Sequence, residues 1–148
     1  MKHKQLYTAA DGLRTFALIF DRGDEAFSTL SRFAERMNLA AASFTGIGAL
    51  ERVTVGWFNW ETKKYQSIEI NEQVEVLTLA GDVATKDGKP AVHAHLVVGK
   101  SDGTAHGGHL KGAIVRPTLE LILTETPAHL RKKFDSASGI ALISIEDS

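Results

Sequence analysis

Residues 92–110 constrain the fold of this chain more than any other stretch, because they hold four of its six histidines. His93 and His95 alternate with apolar residues in a segment with a β-strand pattern, and a glycine-rich turn leads from there to His109. A strand sends residues i and i+2 to the same face, so the first two rings are expected to point the same way. A hairpin would bring His109 back beside them. Three converging imidazoles are typical of a metal site.

A second interpretation of the same pattern stays open. Two histidines that alternate along a strand can also line an interface, with their hydrogen bonds satisfied and no metal present. His106 lies on the turn and is expected to be exposed to solvent. If a metal is bound, carboxylates are needed to orient the rings, and the candidates are Asp82, Asp102 and Glu120.

Most of the remaining chain consists of short β-prone segments separated by turn residues. Residues 14–20 and 140–145 are apolar strands, while residues 50–60 and 65–70 alternate apolar and polar side chains, as a hairpin with one wet face does. Breaks between strands are predicted at the glycines of residues 46–48. No dinucleotide or phosphate-loop glycine spacing and no nucleophile-elbow serine is present, and no catalytic residue can be assigned.

One long helix is predicted after Asp24, which would cap its N-terminus, and it would end near Asn38. Its apolar side chains recur at helical spacing and form one stripe: Phe27, Leu30, Ala34 and Met37. A second, short helix is predicted at residues 129–134. The whole pattern predicts an α+β fold, a mainly antiparallel sheet of about seven or eight strands covered by one long and one short helix.

Composition limits the class of protein. The chain has 148 residues, 43% of them hydrophobic, with a net charge of −1 and no cysteine. These values predict one globular domain, residues 13–148, preceded by an N-terminal arm, residues 1–12. The near-neutral charge argues weakly against a free-standing nucleic-acid binder and leaves a local basic patch open, and the absence of cysteine excludes thiolate ligands. No signal peptide or membrane-length apolar run is present, so a cytoplasmic location without membrane partners is expected.

Motifs in a fixed order along the chain resemble those of the PPC (plants and prokaryotes conserved) domain family. The resemblance covers residues 13 to 146. The motifs are Gly46-Ile47-Gly48-Ala49-Leu50, Glu75-Val76-Leu77-Thr78-Leu79-Ala80-Gly81, His93-Ala94-His95, Asp102-Gly103, Gly107-Gly108-His109-Leu110, Thr118-Leu119-Glu120 and Arg131 with Gly139-Ile140.

The resemblance implies an α+β homotrimer of the stand-alone prokaryotic type. It also implies that His93, His95 and His109 bind a divalent metal, with zinc as the expected ion. His106 matches no histidine of the family. The aromatic side chains Trp57, Phe58 and Trp60 are expected to fill a subunit contact or the core, and a binding platform is the alternative.

Plant members of the family pair this domain with an AT-hook that binds A·T-rich DNA. This chain contains no Arg-Gly-Arg-Pro core, and residues 72–77 lack the Gly-Arg that begins the plant partner-binding segment. Three hypotheses follow. The chain is a metal-binding domain that holds a small molecule, such as a small anion or metabolite. Alternatively, it is a metal-dependent hydrolase or lyase, or it is a DNA-binding regulator.

Overall fold

Nine β-strands and one helix form within residues 1–127 and 129–148, the part of the chain that the computed structural model describes. The elements in chain order are β1 (Lys2–Thr8), β2 (Arg14–Phe20), α1 (Ala26–Met37), β3 (Ala41–Asn59), β4 (Lys64–Ile70), β5 (Val74–Lys86), β6 (Lys89–Gly99), β7 (Ala105–Glu125), β8 (Arg131–Asp135) and β9 (Ile140–Ser144).

The strands make one continuous sheet in the order β1-β2-β7-β3-β5-β8-β9, with β4 paired to β3. Strand β6 pairs with both β5 and β7, and β3 pairs with the same two strands. These four long strands therefore pair in a closed ring. All pairings are antiparallel except the short parallel contact between β5 and β8. The predicted α+β class and mainly antiparallel sheet are confirmed.

Several details of the predicted fold are wrong, and one is the strand count, which is nine in the described part of the chain rather than about seven or eight. Residues 129–134 were predicted as a helix, but Arg131–Asp135 is β8, and α1 is the one helix among the described residues. A segment of about six residues is too short to hold a helix without tertiary support, whereas pairing with β9 satisfies its backbone. The predicted breaks at residues 46–48 are also absent, because β3 continues through them between β5 and β7 with local register shifts.

Helix α1 packs its apolar stripe against the sheet and contacts β6 and β7. Leu30 and Ala34 are buried as predicted, and Phe33, outside the predicted stripe, is fully buried with its ring edge-on to Phe16 at 5.4 Å. The N-cap is Glu25, not Asp24. Its carboxylate accepts hydrogen bonds from two first-turn amides, and Asp24 instead accepts from the amide of Asp21.

The helix ends at Asn38, as predicted, with the left-handed backbone of a helix C-cap. Residues 2–8 of the predicted N-terminal arm form β1, which pairs with β2 along its length. At 12 residues, the described helix lacks the length and apolar character that a membrane span requires.

Candidate metal centre

The three histidines singled out by the sequence meet on one face of β6 and β7. His95 lies directly opposite His109 in the β6–β7 pairing, and His93 lies two residues away on the same side of β6. The ring centroids form a nearly equilateral triangle, with separations of 5.1, 5.2 and 5.3 Å. One nitrogen from each ring lies within 4.8 Å of the other two. Strand alternation therefore produces the juxtaposition that the spacing predicts.

His106 does not join this cluster. It lies in β7 opposite Val98, three residues before His109, and its side chain is exposed. A residue separated from His109 by three positions in a strand points to the opposite face. His106 is therefore a bystander in the geometry, as predicted.

Asp82 of β5 is the carboxylate that contacts the histidine cluster, through His93. It lies directly opposite His93 in the β5–β6 pairing, and its Oδ2 lies 3.2 Å from Nδ1 of His93. Burial alone would raise the pKa of the Asp82 carboxyl, but the hydrogen bond from His93 and the charge of Lys132 lower it below its usual range. An ionised carboxylate only accepts, so Nδ1 of His93 carries a proton, which leaves Nε2 as the nitrogen that could bind a metal.

The other two carboxylate candidates lie elsewhere. Asp102 accepts hydrogen bonds from the backbone amide and hydroxyl of Thr104 in the β6–β7 turn. Glu120 lies opposite Ile19 and Ile47, on a different part of the sheet. Of the three carboxylates, Asp82 is the one that contacts a histidine of the cluster.

His109 is the most strongly perturbed ring. Burial, together with the neighbouring charges of His93 and His95, lowers the pKa of His109 to about 4. Desolvation and the charge on His93 also lower the pKa of His95, although part of that ring stays open to solvent. Both rings are therefore neutral near pH 7, the state in which an imidazole can bind a metal.

The residues present fit a bound cation. Nδ1 of His109 is buried and has no hydrogen-bond partner within residues 1–127 and 129–148, which is an uncommon condition for a buried polar atom. A metal among three neutral imidazoles would lie in the most usual nitrogen environment for zinc.

One aromatic contact and two glycines help to position the rings. Tyr65 of β4 stacks on His109, with ring centroids 4.8 Å apart. A Cβ atom at Gly81 would lie 2.3 Å from the carbonyl oxygen of His93, and one at Gly108 would lie 2.8 Å from that of Gly56. Glycine at these positions lets β6 and β7 approach their neighbours closely. Local sequence patterns do not indicate a role for Tyr65, because its stacking partner lies 44 residues away in the chain.

The hairpin β8–β9 forms a second wall beside the cluster and encloses a cleft of about 460 Å³. Lys132 of β8 enters this cleft, and its Nζ lies 3.3 Å from Oδ1 of Asp82. Its side chain is only 9% exposed. Residues 129–134 were predicted as a helix, so the position of Lys132 beside the histidines could not be predicted from the sequence. The resulting constellation contains three imidazoles, one carboxylate and one ammonium group.

Most of the chain matches the sequence model of one protein family. Residues 7–127 match the sequence model of the Plants and Prokaryotes Conserved (PCC) domain. The chain belongs to this family. The match includes all three histidines and Asp82 of this PCC domain, whereas the β8–β9 hairpin lies beyond it.

Solved structures share the fold of this PCC domain. The plant- and prokaryote-conserved protein of Pyrococcus horikoshii is 32% identical, with a TM-score of 0.84, covering 90% of this chain and 93% of that one. The metal-containing protein AF0104 of Archaeoglobus fulgidus is 33% identical, with a TM-score of 0.81 and coverages of 88% and 92%. A protein of Bacteroides thetaiotaomicron, named as a candidate DNA-binding protein, has a TM-score of 0.90 at 24% identity, with coverages of 98% and 97%, and shows the fold alone.

Among curated proteins, the bifunctional protein GlmU of a Synechococcus strain is 30% identical over 137 residues. The alignment covers 90% of this chain but only 21% of that relative. The PCC domain therefore corresponds to about a fifth of a longer protein in that case.

Proposed function

We propose that this PCC domain binds a divalent metal ion, with zinc as the expected ion, through His93, His95 and His109, and that it holds a small molecule beside that ion. The observation that carries the proposal is the convergence of three imidazole nitrogens within 4.8 Å on two paired strands. The A. fulgidus relative, named as a metal-containing protein, adds support.

Electrostatics favour the metal interpretation over a cluster of satisfied interface histidines. His109 stays neutral well below pH 7, and its buried Nδ1 lacks a hydrogen-bond partner in the described part of the chain. An interface histidine would be expected to have such a partner. In contrast, Nδ1 of His93 contacts the carboxylate of Asp82. An imidazole that binds a metal through one nitrogen commonly donates the N–H of the other nitrogen to a carboxylate.

Each residue has a distinct role in the proposal. The three imidazoles bind the ion, Asp82 fixes the tautomer and orientation of His93, and Lys132 balances the Asp82 charge. Three protein ligands leave a fourth coordination position open. A zinc ion held by the three imidazoles would supply a Lewis acid able to polarise an oxygen atom of a bound molecule.

Cobalt(II) titration tests the metal proposal, because tetrahedral cobalt absorbs visible light strongly and octahedral cobalt does not. We expect intense visible bands that saturate at about one ion per chain for the native protein. His93→Ala, His95→Ala and His109→Ala should each abolish or shift these bands. His106→Ala is the matched control and should leave them unchanged. Equal spectra for all four variants would refute the proposal.

We also propose that the chain assembles as a homotrimer. Two exposed apolar areas support self-association. One surrounds a hollow of about 340 Å³ on the sheet and includes Ile19, Ile47 and Ile122, with Ile47 63% exposed. The other is on the β3–β4 hairpin, where Trp57 and Trp60 are 56% and 60% exposed. Exposed apolar clusters of this kind mark interaction surfaces.

DNA binding is the alternative that the plant members of the family imply. A relative from Ralstonia eutropha, 26% identical with coverage of 94% of this chain, is named as a candidate DNA-binding protein and adds support. The net charge of −1 supplies no general attraction for phosphates. Salt-sensitive binding of an A·T-rich duplex, measured by fluorescence anisotropy, would support this alternative.

A further inference from the structure

The cleft beside the histidines has a composition that points to one class of ligand. Its volume of about 460 Å³ is within the usual range for small-molecule sites. His93 and His109 form part of one wall, and the β8–β9 hairpin forms the opposite wall. The family match ends at residue 127, so this hairpin is a part of the site that lies outside the matched domain.

The charged side chains that line this cleft are positive. Lys86 and Lys132 both line it, and no carboxylate belongs to its described lining. Asp82 lies beside Lys132, with its Oδ1 3.3 Å from Nζ. An ammonium group carries three donors, so this ion pair leaves Lys132 with donors for another acceptor. The cleft continues past Lys132 into a hollow that includes Asp87.

The rest of the lining is apolar. Val92 of β6 and the β9 side chains Ile140, Leu142 and Ile143 face the cleft together with the ring of Tyr65. Leu142 and Ile143 remain substantially exposed to solvent. A ligand with an apolar body would cover this surface, whereas a bare inorganic ion would leave it wet.

We propose that this cleft binds a small organic anion, with its oxyanion head against Lys132 and Lys86 and its apolar body against β9. This inference deepens the proposed function, because the cleft borders two of the three proposed metal ligands. Charge-assisted hydrogen bonds from ammonium groups to an oxyanion are roughly twice as strong as neutral ones, so the lysines set the ligand class. Lys132 is the residue that determines specificity.

Calorimetric titration of the zinc-supplemented protein with four probes tests the ligand class. The probes are benzoate, phenyl phosphate, inorganic phosphate and benzyl alcohol. We expect benzoate or phenyl phosphate to bind at least about tenfold more tightly than benzyl alcohol, which lacks the charge, and than inorganic phosphate, which lacks the apolar body. The tighter of the two identifies the head group. Binding of benzyl alcohol or inorganic phosphate as tight as that of both aromatic anions would overturn the proposal.

Lysine variants test the assigned contact. Lys132→Met should weaken the preferred anion about tenfold or more, and Lys132→Arg should restore much of the affinity. Lys86→Met, at an exposed position, should weaken it without any effect on folding. Lys133→Met is the matched control, since this neighbouring side chain is 70% exposed, pairs with Asp147 and lies outside the cleft. Equal affinity in Lys132→Met, Lys86→Met and Lys133→Met would overturn the proposal.

The same samples separate this inference from the proposed function. Bound metal is counted by elemental analysis before each titration. A protein that takes up no metal but binds the aromatic anions refutes the metal proposal and supports the anion proposal. A protein that binds one ion per chain but none of the anions supports the metal proposal and refutes the anion proposal.

Discussion

His109 is the residue on which the chemistry of the cluster depends most. Burial and the charges of its two neighbouring imidazoles lower its pKa to about 4, so the ring is neutral at physiological pH. The stacked ring of Tyr65 covers one side of it. The neutral ring keeps a lone pair that can bind a metal. The same burial makes protonation of His109 unfavourable, so the folded protein should be less stable in acid.

The first prediction concerns that cost. Because the pKa of His109 is lower in the folded protein than its ordinary value of 6.5, the unfolded chain binds more protons between about pH 4 and 6.5. The free energy of unfolding of the metal-free protein should therefore decrease as the pH falls through this window, by on the order of 2 kcal/mol. Urea denaturation in the presence of chelator measures the effect.

His109→Gln is the control for the acid prediction, because glutamine keeps a polar side chain and does not titrate. Its unfolding free energy should change clearly less between pH 6.5 and 4 than that of the native protein. The same pH dependence in both proteins would show that His109 does not carry the effect.

The second prediction concerns Asp82, which orients His93 from the neighbouring strand. Asp82→Asn removes the negative charge behind the ring, and loss of such a partner typically weakens metal affinity by about 10- to 100-fold. Competition with a chromophoric chelator measures the zinc affinity. Asp102→Asn is the matched control, since Asp102 is bound to Thr104 in the turn. An unchanged affinity in Asp82→Asn would remove Asp82 from the site.

At the scale of elements, the site is made by the close packing of β6 and β7 against β5 and β3. The third prediction concerns Gly108 of β7, where a Cβ atom would lie 2.8 Å from the carbonyl oxygen of Gly56. Gly108→Ala should force the strands apart, lower the unfolding free energy by about 1–3 kcal/mol and weaken metal binding at the adjacent His109.

Gly112→Ala in the same strand is the control for this substitution. Its Cβ atom would meet only a carboxylate oxygen of Glu25 at 3.7 Å, an ordinary contact. Thermal unfolding of both variants compares them. If the two variants have the same melting temperature and the same zinc affinity, close strand packing is not what positions His109.

The sequence predicted the parts of the site that depend on local periodicity. Alternation along β6 places His93 and His95 on one face, and the glycine-rich turn returns His109 to them. The side chains that contact the histidines from other strands could not be predicted from local sequence patterns. Asp82 was one of three candidates until the β5–β6 register placed it opposite His93. Lys132 was assigned to a helix because a short basic segment has no pattern that distinguishes a helix from a hairpin strand.

For the fold, the alternating segments predicted the α+β class and the long helix correctly, because apolar periodicity decides both. Strand continuity was harder to predict. Residues 46–48 continue β3 because Gly46 and Gly48 lie against the backbone of β7, a contact that no local pattern reveals. Glycine there reflects close approach between strands rather than a turn.

At the scale of the whole molecule, the fourth prediction concerns assembly. A homotrimer should have three times the chain mass by light scattering at micromolar concentration. Ile47→Asp places a charge in the exposed apolar hollow of the sheet and should lower the observed mass, because burying an unpaired carboxylate is costly. Ile145→Asp is the control, at an exposed position beyond β9. A native protein with the mass of one chain would contradict the trimer.

The central claim is that His93, His95 and His109 bind one divalent ion. A crystal structure grown with zinc and without chelator, with anomalous data collected at the zinc edge, tests it most directly. The account predicts one strong anomalous peak per chain, bonded to a nitrogen of each of the three rings at about 2.0–2.1 Å. Anomalous density elsewhere, or none at the three histidines in fully zinc-equilibrated crystals, would contradict it.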